Sequence, residues 1–332
     1  LEQKFYNINP ITSSIFDKGM ELLPSVNELF EIELAYLESK ILRKSDFLER
    51  TAFFKTFNGD STFHYLLYSK NSEKEFNSRS LNTKLYFEEG KFSTGYATHS
   101  LFPYRGKFHP QLIKGLINIL GIERGDNILD PMCGSGTLNI EAALMGINSF
   151  AFDISPFCLF MTHTKYEALK INNEVLFSQT ENPDALFDFF NRKGIAGQIK
   201  KIADINKRRV YQLSLLAYLD SMGYSKRLKT SNHKQLFKKV LNRYKETVSG
   251  FVTNKYFKSI ELGEVKVLKG SDALNMKITN NSVDGVISSP PYSFAIDYAE
   301  NDKAQLEYLG FDVEQLRNKM IGLKGKRKRE RL

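Results

Sequence analysis

Asn127-Ile128-Leu129-Asp130-Pro131-Met132-Cys133-Gly134-Ser135-Gly136-Thr137 joins an apolar strand, a glycine-bearing turn and the start of a helix in one run. Ile128 and Leu129 lead into the acid Asp130, and Thr137–Met145 then reads as a helix. Gly134 and Gly136 allow a backbone approach that a β-carbon would block. The turn lacks the Gly-Lys-Ser/Thr ending of a Walker loop, and its spacing differs from the GxGxxG of dinucleotide folds. A strand, tight turn and helix of this kind form a ligand cradle at the carboxyl end of a sheet.

Working outward, the pattern alternates between strand and helix. Pro110 opens a predicted helix with Leu112, Ile113, Leu116, Ile117 and Leu120 on its buried side, and Ser149–Asp153 is a second short strand ending in an acid. Pro156 to Tyr256 is largely helical, and strand character returns at Val265–Leu268 and Val283–Ser288. This β-α-β order predicts an α/β fold with a parallel sheet covered by helices. Residues 1–95 form an N-terminal region of unassigned role. Pro24-Ser25 with Glu28 reads as a capped helix start, followed at helical spacing by Val26, Leu29, Phe30, Leu34, Leu37 and Ile41. Beyond it, Thr51–Tyr68, interrupted by Asn58-Gly59-Asp60, and Lys84–Phe92 read as short aromatic-rich strands. The expected division is 1–95, a core of 96–156 and 259–332, and a helical basic insertion over 157–258.

Composition narrows the function. With 42% hydrophobic and 26% charged residues, the chain has the balance of a globular protein rather than a disordered one. No apolar run is long enough for a membrane-spanning helix. The N-terminus, Leu1-Glu2-Gln3-Lys4, has no signal-peptide pattern and no initiator Met, so the chain reads as a fragment or processed form, and its sparse cysteine usage reads as that of a reduced, cytoplasmic protein. Two cysteines and five scattered histidines give neither a disulfide framework nor zinc spacing, so no metal is expected. The net charge is +9, but Arg192–Lys258 holds 17 Lys or Arg against three acids, leaving the remainder net acidic. Such a concentration is the footprint of a polyanion-binding surface. Lys207, Arg208, Arg209, Lys226, Arg227, Lys238 and Lys239 are its expected nucleic-acid contacts. The basic tail Lys324–Arg331 reads as a solvated segment.

The second decisive segment is Val283-Asp284-Gly285-Val286-Ile287-Ser288-Ser289-Pro290-Pro291-Tyr292. Paired prolines are disruptive inside a sheet, but at a strand end they fix a rigid turn. With the first segment, it resembles motifs I and IV of class I S-adenosylmethionine-dependent amino-methyltransferases of nucleic acids. The resemblance covers residues 96–156 and 262–323 and implies a Rossmann-like sheet with S-adenosylmethionine as cofactor. It implies cofactor contacts from Asp130, Pro131, Met132, Cys133, Gly134, Ser135, Gly136 and Thr137, and a ribose site at Asp153 with Ile154. Asp272 and Ala273, after the third strand, would meet the adenine. Tyr104-Arg105-Gly106-Lys107-Phe108-His109-Pro110 resembles motif X, which would put Phe108 and Pro110 near the methionine end.

Motif IV implies the chemistry. An aromatic amine is a poor nucleophile because its lone pair is delocalised into the ring, and acceptors placed against its hydrogens favour a pyramidal, reactive nitrogen. Ser289 Oγ and the Pro290 carbonyl would be those acceptors, Pro291 would stiffen the turn and Tyr292 would stack on the base. Phe294, Asp297 and Tyr298 are further candidates for pocket walls. A duplex base must be flipped out to reach such a site. Attack at cytosine C5 needs a cysteine at this strand end, and neither Cys133 nor Cys158 stands there. Ser at the first position of motif IV is typical of N4-cytosine DNA methyltransferases, so double-stranded DNA is the expected partner. The segment Asp130–Gly146 also matches RNA N2-guanosine enzymes, and DNA N6-adenine methylation is a third alternative. No strand-like run appears from Ser293 to Leu332, where two helices are expected. The sheet would then be completed by residues 1–95, by a companion polypeptide, or by residues outside this chain. In the second case the chain would be one subunit of a split enzyme, inactive alone.

Overall fold

The computed structural model describes residues 14–23, 26, 28–68, 95–192, 194–227, 232–270, 273–292 and 296–321. It separates into two compact units, 1–96 with 109–123, and 97–108 with 124–332.

The first unit contains β1 (Met20–Leu22), α1 (Leu29–Ile41), α2 (Lys44–Arg50), β2 (Phe54–Phe57), β3 (Asp60–Ser61) and α3 (Pro110–Ile119). The strands form an antiparallel sheet in the order β1-β2-β3. β2 and β3 are turned by Asn58 and Gly59, both at positive φ, as a two-residue hairpin requires. Phe16, Phe47, Phe53 and Phe54 fill its core.

α1 departs from the sequence reading. It starts at Leu29, and Glu28 is the capping residue, its N–H bonded to Glu31 Oε2 at 3.1 Å. Pro24 and Ser25 lie outside the described residues. The buried face carries Ile32, Ala35 and Glu38, while Leu29, Phe30, Leu37 and Ile41 are exposed. The physical reason is Glu38. Its carboxylate accepts from Thr51 Oγ1 at 2.6 Å, Ala52 N at 2.9 Å and Asn118 Nδ2 at 2.7 Å. A buried acid must be satisfied in this way, and these bonds fix the rotation of the helix.

The second unit is an α/β domain with a parallel four-stranded sheet of Rossmann type. It contains β4 (Asn127–Asp130), α4 (Thr137–Leu144), β5 (Asn148–Ala151) and α5 (Pro156–Ala168). There follow α6 (Asn173–Gln179), α7 (Pro183–Phe190), α8 (Ile195–Ile199), α9 (Ile205–Arg227) and α10 (His233–Val252). It ends with β6 (Val265–Val267), β7 (Gly285–Val286), α11 (Tyr298–Asn301), α12 (Lys303–Tyr308) and α13 (Val313–Lys319). The strand order is β6-β5-β4-β7, with all neighbours parallel. The chain leaves β4 in one direction for β5 and β6, then crosses to the other side for β7. The crevice between β4 and β7 is therefore a topological switch point, where ligands bind in open α/β sheets.

Two features differ from the expected domain division. α3 packs with the first unit, beside α1, rather than with the methyltransferase-like core. The basic insertion shares one apolar core with that core: Leu101, Phe102 and Leu306 cluster with Phe157, Leu213, Phe237 and Tyr244. Tyr244 ties them by polar bonds as well, accepting from Phe102 N at 2.7 Å and donating to Asp220 Oδ2 at 3.0 Å. Among the described residues no strand follows β7, and Val286 on that edge is 52% exposed. Among the described residues, no helix is long and apolar enough to cross a membrane.

Candidate active site

The carboxyl ends of the four strands open into one cleft. Asp130, Pro131, Met132, Cys133, Gly134, Ser135 and Thr137 line it from the end of β4. Asp153 and Ile154 enter from β5, Ala273 and Leu274 after β6, and Ser289, Pro290 and Pro291 after β7. The lining thus follows the strand order, bringing the two motifs together where β4 meets β7.

The glycine turn is held from within. Asp153 Oδ2 accepts from Gly134 N and Oδ1 from Ser155 N, both at 2.8 Å. Gly136 sits at φ 77, and a β-carbon there would fall 2.7 Å from the Thr162 side chain. Its need for glycine comes from packing against α5, and Gly136 is not among the lining residues. Ser155 caps α5, accepting from Cys158 N at 3.4 Å.

Burial dominates the electrostatics. It raises Asp130 to a pKa of about 7, against the bond from Met132 N and with a further push from Asp153. Asp153 rises to about 6 for the same reason, despite its two backbone bonds. Carboxyls so poised favour a ligand that brings positive charge. The Cys133 thiol is pushed well above its usual range by burial and by the negative charge of Asp153 and Asp130. Cys158 is raised likewise, first by burial. Neither is set up as a thiolate nucleophile.

The remaining expected residues divide. Phe108 lines the cleft, whereas Pro110 begins α3 of the first unit and is not a lining residue. Asp272 and Phe294 lie outside the described residues. Tyr292 does not line the cleft: its ring is 57% exposed and lies along Gly106, whose β-carbon would sit 3.4 Å from it. Tyr298 lines the wall instead, stacked against Tyr104 with ring centroids 6.1 Å apart. Asp297 is no wall residue. It caps α11 by accepting from Glu300 N at 3.2 Å, and it pairs with Arg317. Sequence reading passed over Tyr104 and Lys107, although both lie in the motif X-like segment. It also missed Lys319, Met320 and Ile321, which reach the cleft only through tertiary packing.

The basic insertion is less free than its composition suggests. Arg209 is held by Glu167 at 2.8 Å, Arg208 donates to the Ile202 carbonyl at 3.2 Å, and Lys238 pairs with Asp184 at 2.8 Å. Lys207 and Lys239 are exposed. Lys226 and Arg227 lie in α9, with side chains outside the description. Among the described residues no group of three or more His, Cys, Asp or Glu could hold a metal.

Residues 100–308 match UPF0020, described as the RMKL-like methyltransferase domain, which is well over half of the chain. The chain belongs to this family. Among curated proteins, the chain is similar to the type II methyltransferase M.BsoBI of Geobacillus stearothermophilus. The two are 27% identical over 274 residues, covering 66% of this chain and 54% of that protein. It is also similar to the type II methyltransferase M.MjaII of Methanocaldococcus jannaschii, at 41% over 73 residues, 22% of this chain and 14% of the other. A tRNA (guanine(10)-N2)-dimethyltransferase of Methanothermobacter thermautotrophicus is 45% identical over 53 residues, 16% of each chain. The chain spans about half the length of M.BsoBI and far less of the other two.

Proposed function

We propose that this chain transfers a methyl group from S-adenosylmethionine to an exocyclic amine of a nucleobase, with cytosine N4 in double-stranded DNA as the favoured target. The observation that carries the reading is the single cleft shared by Asp130, Asp153 and the Ser289–Pro291 turn. The residues suit the cofactor: two buried carboxyls favour a cation, and Ala273 and Leu274 supply an apolar edge after β6. The cofactor supplies an electrophilic methyl on its sulfonium. The chain's part is orientation and exclusion of water. Ser289 Oγ and the Pro290 carbonyl accept hydrogen bonds from the amine, and Tyr298 walls the base in the role first expected of Tyr292. With S-adenosylmethionine bound there, the N–C bond would form as the S–C bond breaks, and the methylated amine would lose its proton to solvent after transfer. Held geometry supplies much of the acceleration. The raised Cys133 and Cys158 thiols favour nitrogen over cytosine C5 as the acceptor.

Two type II methyltransferases among the relatives support DNA as the polymer. Guanine N2 in tRNA is the second reading, favoured by the 45% identity to the tRNA enzyme. DNA N6-adenine is a third. The exposed β7 edge favours a further polypeptide segment or companion subunit that completes the sheet. Incorporation of labelled methyl into a cytosine-containing duplex and into unmodified tRNA, by the chain alone and with a companion, tests these readings. Incorporation only into tRNA would reject DNA, and full activity alone would reject the split enzyme.

A further inference from the structure

Lys319, Met320 and Ile321 line the same cleft as the β4 turn and Ser289–Pro291. They sit at the end of α13, which is fixed from two sides. Arg317 pairs with Asp297, in the connection that leaves β7, and Val313 and Leu316 pack on the apolar core shared by the helices. The end of α13 is therefore held by the β7 connection, while the cofactor acids stand at β4 and β5.

The cations of the cleft differ in their commitments. Lys107 is largely buried and donates to the His99 carbonyl at 3.0 Å. Lys319 is exposed and, among the described residues, takes part in no ion pair. A cleft lined by Asp130 and Asp153 thus also presents an uncommitted ammonium, with the apolar Met320 and Ile321 beside it. A point charge on a flexible four-carbon stem suits a phosphate oxygen.

We propose that Lys319 binds the phosphodiester flanking the target base and so sets the position of the polynucleotide at the cleft. This rests on the reading of the site as a nucleobase-amine methyltransferase.

The test compares the wild-type protein, Lys319→Ala and Lys319→Arg on one oligonucleotide duplex, and on the same duplex with neutral methylphosphonates flanking the target. Expected are a KM about 10-fold higher for Lys319→Ala with kcat retained, a salt slope shallower by about 1, and partial rescue by Arg. The methylphosphonates should cost the wild type a similar factor and cost Lys319→Ala almost nothing further. Cofactor affinity by calorimetry should be the same in all three proteins. If the wild type methylates the duplex but the two losses multiply, or KM is unmoved, or Lys319→Ala weakens cofactor binding, the Lys319 inference is overturned alone. If the wild type methylates no nucleic acid either alone or with the companion polypeptide, the underlying reading fails and the inference with it.

Discussion

Protonation of Asp130 and Asp153 should control cofactor binding. With pKa values of about 7 and about 6, these carboxyls are largely neutral in the empty cleft at pH 5 and ionised at pH 8. A ligand carrying a sulfonium stabilises the ionised forms, so binding lowers both pKa values and releases protons. Affinity must then rise with pH until both groups are ionised in the free protein. If only the doubly ionised site binds, the two pKa values give an affinity at pH 8 about a thousandfold above that at pH 5, or about 4 kcal/mol. At pH 6.5 about one proton should be released per cofactor bound. Asp130→Asn should remove the upper step and leave a dependence of about tenfold from Asp153. Isothermal calorimetry from pH 5 to pH 8, in buffers of different ionisation enthalpy, measures affinity and protons together. Constant affinity with no proton release would refute the reasoning.

Other expectations follow from the same geometry. Asp153→Ala should weaken cofactor binding by calorimetry, both through the lost carboxylate and through the freed Gly134 N–H; unchanged affinity would remove it from the cofactor site. Ser289→Ala should lower turnover by about 10²-fold, the scale for one lost stabilising hydrogen bond, with cofactor affinity intact; full turnover would sink its role. Gly263→Ala should lower thermal stability, because its β-carbon would fall 2.0 Å from the Ile147 carbonyl oxygen, and a backbone oxygen cannot rotate away. The cost should be at the upper end of overpacking, about 3 kcal/mol, read as a fall in melting temperature. The pH profile of the unliganded protein has a defined sign. Asp130, Asp153 and Asp302 keep protons that the unfolded chain has lost, so stability from these groups falls as pH rises from about 4 to 7. Lys165, lowered to about 7 by burial, adds stability as pH climbs from about 7 to 10. Thermal melts across pH 4–10 should therefore show a minimum near neutrality, and a flat profile would contradict these assignments.

The sheet and the cleft were legible because their signals are local. A strand-end acid, a glycine turn against α5 and a proline pair after β7 each constrain the backbone within a few residues. Features decided by distant packing were not legible. The rotation of α1 is set by Glu38 meeting Asn118, 80 residues away, which periodicity cannot register. Tyr298 stands at the wall, stacked on Tyr104, whereas Tyr292 in the motif is exposed and is not a lining residue. A count of basic residues likewise overstates the free charge of the insertion, since Glu167 claims Arg209 from 42 residues away. Asp297 reads as a wall residue by its nearness to motif IV, yet its carboxylate belongs to a helix cap and an ion pair.

The most direct test of the central claim locates the transferred methyl atom by atom. The protein is incubated with methyl-labelled S-adenosylmethionine and nucleic acid, and the digested nucleosides are fragmented by mass spectrometry. Label is expected on an exocyclic nitrogen, with N4-methylcytosine foremost. Label at cytosine C5 or on the ribose would contradict the claim.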